Sequence, residues 1–450
     1  MQILNRHPRW LDALWLALLA AYIVASAAIV PFHGDEATLL YMGRDYHYLF
    51  VDGDLAKVLY DDTWTRRPEE QRLRLENGVI SKTIYGWLAW HQGYGPDDLN
   101  GEWHWGRDYE FNSRTNRVPD AQLLNAARIA SAIQLALATA VFFHFTRMTV
   151  NRPTAYLASA LFALHPNVLI NGRRAMMEGS HLLGLTLALL AGAWLLRERK
   201  WLAYLLFGAC LGFAVAAKHP NALIAALVFI AVTIATGREQ IASEKRRLVG
   251  GGRQRILLLL SLVAAAAVFL LLNPAWWSAP FELPFIIAEM RAELLRAQVD
   301  WIGGYESFTE RVQGFFQYVF AAERQYFEVA RWAEYDVISD QIAFYESSGL
   351  AGILFGGTGL FGIVCLALAM FGAVNLARDS AIEAKNRLLL LLWMIGLALV
   401  TLLLTPLPWA RYYLPLALAM PLLVGYALTT MAGAAWRRIR TADDGVTVLP

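Results

Sequence analysis

The stretch AAIVPFHGDEATLLYMGRD, residues 27–45, closes a long apolar segment at Pro31 and places two adjacent carboxylates, Asp35 and Glu36, directly after it. Carboxylates at membrane depth are costly unless they are paired or hydrated, so a pair at the mouth of a span is a candidate for function. The structural alternative is that HGDEA starts a helix near Ala37, with Asp35 as its cap. Asp35 can serve both purposes, because capping uses only one of its oxygens.

The composition indicates a membrane protein. Of the 450 residues, 57% are hydrophobic and 17% are charged, whereas soluble domains carry about 25% charged residues. The net charge of +2 is too small to indicate a nucleic-acid partner. Both cysteines lie in apolar runs, which argues against a disulfide framework or a thiolate metal site. We therefore expect an all-α integral membrane protein with no nucleic-acid partner.

About ten segments are long and apolar enough to cross a bilayer as helices. The apolar run of residues 201–236 exceeds one span, and Lys218-His219-Pro220 divides it into a predicted hairpin. The predicted spans cover residues 11–32, 122–146, 154–171, 177–196, 201–217, 220–236, 256–273, 350–376, 388–404 and 412–432.

Basic residues near the span ends set the predicted orientation. They place the N-terminus, the loop around Lys245, Arg246 and Arg247, and the arginines of WRRIR near the C-terminus in the cytoplasm. A cleaved signal peptide is an alternative for the first span, which has a basic start and ASAA near its end. Its apolar run is too long for a signal sequence, so we treat residues 1–450 as a single membrane domain.

Two large segments, residues 33–120 and 274–349, lie on the predicted outer side. Both are rich in Trp and Tyr, which favour the membrane–water interface. In the first segment, VISKTIYGWLAWHQGYG predicts a short interfacial helix. In the second, FELPFIIAEMRAELLRAQ and FTERVQGFFQYVFAAERQYFEVARWAEY predict amphipathic helices.

Basic residues also occur on the predicted outer side, where the sidedness rule disfavours them. Each alone could reach the lipid headgroups with its long side chain. Together with Asp35, Glu36 and Glu178, they describe an anion pocket beside a potential acid or base. An anion held at the bilayer surface indicates a lipid phosphate. The basic residues are Arg128, Arg173, Arg174, Lys218, His219 and Arg411.

The order of these motifs resembles the GT-C superfamily of polyprenyl-phosphate-sugar-dependent glycosyltransferases, in the branch of protein O-mannosyltransferases and lipid A aminoarabinose transferases. The similarity covers most of residues 1–236 and the final span, while residues 274–349 have no counterpart. Two positions depart from the family pattern: Glu76-Asn77 stands where His-Pro is usual, and Glu178 stands where Asp is commoner. The similar stretches are FHGDEA, ENGVISKTIYGWLAWHQGYG, AARIASAIQLALATAVFF, GRRAMMEGSHLLGLTLALLA, LGFAVAAKHPNAL and RYYLPLALAMPLL.

The resemblance implies a membrane glycosyltransferase of the bacterial plasma membrane, with its active site on the non-cytoplasmic face. It would transfer a sugar from a polyprenyl-phosphate carrier to a lipid, glycan or protein acceptor. The resemblance assigns Asp35 as the general base, with inversion at the anomeric carbon. Glu36 would orient the acceptor or help to bind a metal. No metal is expected to be obligatory, although a divalent cation remains an option, since some related enzymes use one.

The basic residues would hold the donor phosphate by charge-assisted hydrogen bonds. Lys218 and Arg411 are the first candidates, followed by Arg128 and Arg174. Arg128 has an equal alternative, which is to pair with Asp35 and set its position. The resemblance implies binding or orienting roles for a further set of residues, which are Glu178, Arg173, His219, Tyr412 and Lys82.

Two other classes of function compete with a glycosyltransferase. The first is a flippase or transporter of a lipid-linked sugar, but such proteins carry charges near the midplane, whereas here the charges gather at one face. The second is a non-catalytic subunit of an envelope complex. Substitution of Asp35 discriminates between these classes, because a non-catalytic subunit would remain functional without it.

Overall fold

The computed structural model describes residues 9–65, 67–244, 251–354 and 358–443, and these contain helices and loops but no strand. Seven helices within these ranges are long and apolar enough to cross a membrane, and Trp201–Ala217 is a shorter apolar helix. The predicted class, an all-α integral membrane protein, is confirmed. The predicted count of ten spans is not confirmed. The loop around Lys245, Arg246 and Arg247 lies outside the described residues.

The spans build one apolar core, in which α10 is the most enclosed and packs against α7, α11 and α12. The first part of the chain forms α1 (Arg9–Ala25), α2 (Gly34–Met42), α3 (Arg44–Tyr46), α4 (Pro68–Glu76), α5 (Ile80–His91), α6 (Tyr109–Arg114), α7 (Ala121–Thr149), α8 (Arg152–Ala163), α9 (Pro166–Arg173) and α10 (Glu178–Glu198). The second part forms α11 (Trp201–Ala217), α12 (Asn221–Glu244), α13 (Gly251–Leu272), α14 (Leu283–Ile302), α15 (Phe308–Phe315), α16 (Ala330–Ala333), α17 (Asp336–Ser347), α18 (Thr358–Arg378), α19 (Ala384–Leu404) and α20 (Leu416–Asp443).

The predicted third span, residues 154–171, is wrong as a continuous helix. The chain leaves α8 after Ala163, passes through His165 in an extended conformation, and starts α9 at Pro166. Proline has no N–H to donate and disfavours helical geometry in the residue before it, so the helix breaks here. All of α9 is buried, which brings the chain that follows it into the protein interior.

The predicted hairpin at Lys218-His219-Pro220 is confirmed. Helix α11 ends at Ala217, Lys218 is extended, and α12 begins at Asn221. The first outer segment is bound at this point, because the backbone N–H of Val79 donates to the carbonyl of Ala216 at 2.8 Å. The start of α5 and the end of α11 are therefore held together next to Lys218.

Two of the three helices predicted in the outer segments are present, and the third is interrupted. Helix α5 confirms the short helix in the first segment, and α14 confirms the first amphipathic helix in the second. The second amphipathic helix, predicted over residues 308–335, is wrong as a continuous element. After α15 and a π-helical turn at Phe316–Phe320, the chain runs without helix to α16. This stretch lacks helical hydrogen bonds and is instead bonded to distant parts of the chain.

Helices α11 and α13 approach closely along a face of small residues. A β-carbon on Gly208 would lie 2.1 Å from the carbonyl oxygen of Ser261, and one on Gly212 would lie 2.3 Å from the carbonyl oxygen of Ala265. Such contacts are too short for any side chain, so these glycines set the distance between the two helices. Close backbone approach through small residues is a common mode of helix packing in membranes.

We expect Gly212→Ala to lower the melting temperature of the purified protein in detergent. The added methyl group must push α13 away, and overpacking of this kind costs about 1–3 kcal/mol. Gly237→Ala is the matched control, since a β-carbon at Gly237 meets no atom within 4 Å. Equal melting temperatures for Gly212→Ala and wild type would show that the two helices are not in close contact.

Candidate active site

A cavity of about 460 Å³ lies between the outer segments and the ends of several spans. Small-molecule sites commonly enclose about 300–1,000 Å³. The cavity is strongly charged, since cationic and anionic side chains line it together. The cations are Arg72, Lys218, Arg291 and Arg411, and the carboxylates are Asp35, Glu76, Glu102, Glu178 and Glu328.

The start of α2 separates the two predicted catalytic carboxylates. Nδ1 of His33 accepts a hydrogen bond from the backbone N–H of Asp35 at 3.1 Å, and the backbone N–H of His33 donates to Glu36 at 3.0 Å. This reciprocal capping fixes the first turn of the helix. Consecutive helical residues point about 100° apart. Asp35 therefore faces the cavity, whereas Glu36 faces the interior and does not line it.

Glu36 is fully buried, and both of its oxygens are held by donors. Nε and Nη2 of Arg128 each donate to a different oxygen at 2.8 Å, and the backbone N–H of Ala175 adds a third bond at 2.8 Å. Burial alone would raise the pKa of Glu36, but the charges of Arg128 and Arg174 and these bonds lower it. Arg128 thus pairs with Glu36 rather than with Asp35, and neither residue faces the cavity.

Arg411 lies between two carboxylates at the cavity wall. Its Nη1 donates to Oδ2 of Asp35, and its Nε lies 3.1 Å from Oε1 of Glu328. The second oxygen of Glu328 bonds Nε2 of His33 at 2.9 Å. Because Nδ1 of His33 accepts from the backbone of Asp35, the ring proton is on Nε2, which donates a hydrogen bond to Glu328. Burial would raise the pKa of Glu328, but Arg411 and His33 hold it well below its usual range.

A second ion pair lines the same cavity. Nζ of Lys218 donates to Oε1 of Glu178 at 2.8 Å, and both side chains are buried. Lys218 follows the last turn of α11, where the helix dipole favours a cation. Glu178 opens α10, where the dipole favours an anion. Each residue therefore lies where its own helix stabilises its charge.

Arg173 and Arg174 are buried beside the site and donate to backbone carbonyls. Arg173 donates to the carbonyls of Tyr22 and Ile23 at 2.8 and 2.9 Å. Nε of Arg174 donates to the carbonyl of Pro31 at 3.0 Å. These contacts attach the end of α9 to the chain before α2. Neither arginine lines the cavity.

Lys82 and His219 also lie outside the cavity. Nζ of Lys82 bonds one oxygen of Asp45 at 2.9 Å, and Nε of Arg74 bonds the other at 2.8 Å. His219 packs edge-on against Trp276, with 5.8 Å between the ring centroids. The structure therefore brings five of the predicted site residues together at the cavity, which are Asp35, Glu178, Lys218, Arg411 and Tyr412.

Glu328 is a site residue that sequence reasoning missed. Gln325 holds the chain in place, because its Nε2 donates to the carbonyl of Pro408 at 3.0 Å and its Oε1 accepts from the N–H of Ala410 at 2.6 Å. Asn167 binds the same stretch, donating to the carbonyl of Glu323 at 2.7 Å. The residues that bond this stretch are far from it in sequence, and no local sequence pattern predicts these contacts.

The positions that depart from the family pattern do reach the cavity. Glu76 and Asn77 both line it, beside Arg72, whose Nη2 lies 3.6 Å from Glu102. Burial raises the pKa of Glu76 and that of Glu102. Across the described ranges, no group of three His, Cys, Asp or Glu side chains is placed to hold a metal ion.

Residues 80–286 match the family described as dolichyl-phosphate-mannose-protein mannosyltransferase. No curated protein sequence matches the chain. The chain is similar to the apo oligosaccharyltransferase of Archaeoglobus fulgidus, with 16% identity and a TM-score of 0.51 over 98% of this chain and 54% of that one.

Two further solved structures show weaker similarity. The donor-bound protein O-mannosyltransferase complex of S. cerevisiae has 14% identity and a TM-score of 0.40, over 60% of this chain and 34% of that one. ArnT from Cupriavidus metallidurans, bound to undecaprenyl phosphate, has 14% identity and a TM-score of 0.37, over 99% and 82%. The chain spans 34–54% of the length of the first solved structures that it matches, and at these identities the similarity concerns the fold.

We expect Glu36→Gln to destabilise the protein strongly. The amide leaves the buried guanidinium of Arg128 without a counter-charge, and breaking one side of a buried ion pair costs about 3–5 kcal/mol. Thermal unfolding in detergent measures the effect. Glu110→Gln is the control, because its pair with Arg114 is largely exposed and contributes at most about 1 kcal/mol. Equal melting temperatures for Glu36→Gln and Glu110→Gln would show that Glu36 does not hold the start of α2.

Proposed function

We propose that this chain, which has the fold of the GT-C superfamily, is a membrane glycosyltransferase that takes its sugar from a polyprenyl-phosphate carrier. The observation that carries the proposal is the contact between Asp35 and Arg411 at the wall of the charged cavity. A general base and a phosphate-binding cation are thereby side by side. We place the active site on the non-cytoplasmic face of a bacterial plasma membrane, with a lipid, glycan or protein as acceptor.

The donor phosphate is assigned to Arg411 and Lys218. A phosphate carries several acceptor oxygens, and charge-assisted bonds from arginine and lysine are the strongest that it can receive here. Both cations line the cavity, and each keeps a carboxylate partner, Glu328 or Glu178, that neutralises it when no anion is bound. Negative charge grows on the phosphate as the sugar leaves, so these cations stabilise the transition state more than the ground state.

Asp35 is assigned as the base that removes the proton from the acceptor. In the structure its carboxylate accepts a hydrogen bond from Arg411. A phosphate that binds Arg411 competes for the same donor and leaves Asp35 free to accept a proton. The base is thus released when the donor arrives, which limits unproductive chemistry in an empty site. Direct attack by the activated acceptor would invert the anomeric carbon.

Glu328 and His33 are positioning residues in this scheme. Glu328 contacts Arg411 through a different nitrogen from the one that Asp35 uses, so the guanidinium stays in place when its bond to Asp35 breaks. His33 connects Glu328 to the backbone N–H of Asp35. The base and the cation therefore share one support, which sets their separation. A divalent cation beside the phosphate is compatible with this scheme and is not required by it.

We expect Asp35→Asn to lower turnover at least about 100-fold, the lower limit of what a positioned general base contributes. Folding is preserved because the amide is nearly isosteric. Donor affinity is expected to stay equal or to rise, since Arg411 loses its competing partner. Release of sugar from a labelled polyprenyl-phosphate donor measures turnover, and Asp97→Asn, at an exposed position of the same outer segment, is the control. Retention of a tenth of wild-type turnover would mean that the base lies elsewhere.

We expect Arg411→Ala and Lys218→Ala each to weaken binding of undecaprenyl phosphate by roughly 10- to 150-fold, which corresponds to about 1.5–3 kcal/mol for a hydrogen bond to a charged group. Binding isotherms on the purified variants measure the change. Lys218→Arg should restore affinity only in part, because the planar fork needs a different geometry. Arg296→Ala, on the exposed side of α14, should bind as wild type does. Unchanged affinity in both alanine variants would show that the donor phosphate does not bind in this cavity.

A further inference from the structure

Three tryptophans form one wall of the cavity, and the proposed chemistry does not use them. Trp105 comes from the first outer segment, Trp301 from the end of α14, and Trp332 from α16. The ring centroids of Trp105 and Trp332 lie 4.6 Å apart, and those of Trp301 and Trp332 lie 5.8 Å apart. We call these three side chains the aromatic wall. Both outer segments contribute to it.

Trp301 differs from the other two in its exposure. Trp332 is buried at 5% exposure and supports the wall, whereas Trp301 is 54% exposed although it lines the cavity. The guanidinium of Arg331 lies 6.0 Å from the centroid of its ring. Trp301 therefore combines a place in the cavity lining with a large uncovered aromatic surface, which a ligand can contact.

The aromatic wall lies next to the reactive groups. The ring of Trp105 is 5.4 Å from that of His33, and Phe327 stacks on His33 at 4.8 Å. His33 in turn accepts the backbone N–H of Asp35 and donates to Glu328. One ring therefore separates Trp105 from the carboxylates that hold Arg411, and Trp301 follows behind Trp332 in the same wall. In a lipid-phosphate sugar, a single oxygen joins the sugar to the phosphate. A donor whose phosphate binds Arg411 therefore carries its sugar directly beside that phosphate, in the cavity that Asp35 and Trp301 both line.

We propose that the aromatic wall binds the sugar ring of the donor by stacking, with Trp301 as the open platform. The face of an aromatic ring is electron-rich, and one face of a sugar ring presents weakly positive C–H groups. Stacking tolerates changes in hydroxyl configuration and still fixes the plane of the ring, so it orients the anomeric carbon toward the acceptor. The inference rests on the proposed function and adds the residues that recognise the sugar.

The test compares two ligands that differ only by the sugar. Undecaprenyl phosphate and undecaprenyl-phosphate mannose are titrated into the full-length protein in lipid nanodiscs. The wild type should bind the mannose lipid more tightly than the bare phosphate lipid. Trp301→Ala should weaken binding of the mannose lipid about 3- to 10-fold, in keeping with the strength of one aromatic contact. Its affinity for the bare phosphate lipid should not change.

Matched variants separate stacking from simple apolar contact. Trp301→Phe keeps a ring face and should retain most of the preference for the mannose lipid. Trp301→Leu keeps apolar area without a ring face and should behave as Trp301→Ala does. Trp277→Ala removes a tryptophan that is 47% exposed but does not line the cavity, and it should bind both lipids as wild type does.

The possible results divide cleanly. An equal loss for both lipids in Trp301→Ala, or no loss for either, would overturn the proposal, as would equal binding of both lipids by the wild type. Equal behaviour of Trp301→Phe and Trp301→Leu would exclude stacking. Failure of the wild type to bind either lipid would instead contradict the proposed function, so the two failures are distinguishable.

Discussion

The site depends on the buried ion pair between Glu36 and Arg128. This pair joins α2 to α7. The hydrogen bond from the backbone N–H of Ala175 to Glu36 also joins α2 to the chain that follows α9. A carboxylate with no access to water must keep such partners, because an unpaired buried charge is far more costly than an unpaired surface charge. Since the helix can turn neither way without losing them, Asp35, one residue earlier, is fixed toward the cavity. Of the two neighbouring acids, Glu36 therefore stabilises the structure and Asp35 faces the cavity.

The second constraint is the way in which irregular backbone reaches the cavity. Glu328 and Phe327 lie in a stretch without helix, and two side chains hold this stretch. Gln325 bonds the backbone of Pro408 and Ala410, and Asn167 bonds the backbone of Glu323 and Gln325. Buried backbone without regular structure needs such partners for its polar groups. The bonds made by Gln325 end one residue before Arg411. The same contacts that satisfy the loop therefore also set the distance between Glu328 and the cation.

Much of this arrangement could be predicted from the sequence, and the GT-C resemblance is confirmed. The all-helical class follows from apolar runs, and the break at Lys218 follows from a proline beside a charge. The break at His165 was missed although Pro166 signals it, because the surrounding residues are apolar enough to be taken for one span.

The sequence could not assign partners to the charges. The sequence leaves open whether Arg128 pairs with Asp35. In the structure it pairs with Glu36, because neighbouring helical residues point about 100° apart and only Glu36 faces the interior. Glu328 was missed because its neighbours in sequence suggest a surface helix, while its position depends on residues more than eighty positions away. Local patterns report burial and periodicity, whereas a site between segments is set by pairings that only the complete fold defines.

The contact between Asp35 and Arg411 joins residues 376 positions apart, nearly the full length of the chain. Proteins are made from the N-terminus at about 5–20 residues per second, so Asp35 is synthesised roughly 20–75 s before its cation exists. During that interval the carboxylate lies beyond the first helix without its arginine, while the spans that follow are inserted one after another. A chain released early would carry the acid and Lys218 but lack Arg411. Synthesis itself thus imposes an order on assembly, in which the charged cavity is completed only after the segment that carries Arg411, directly before α20, has been made.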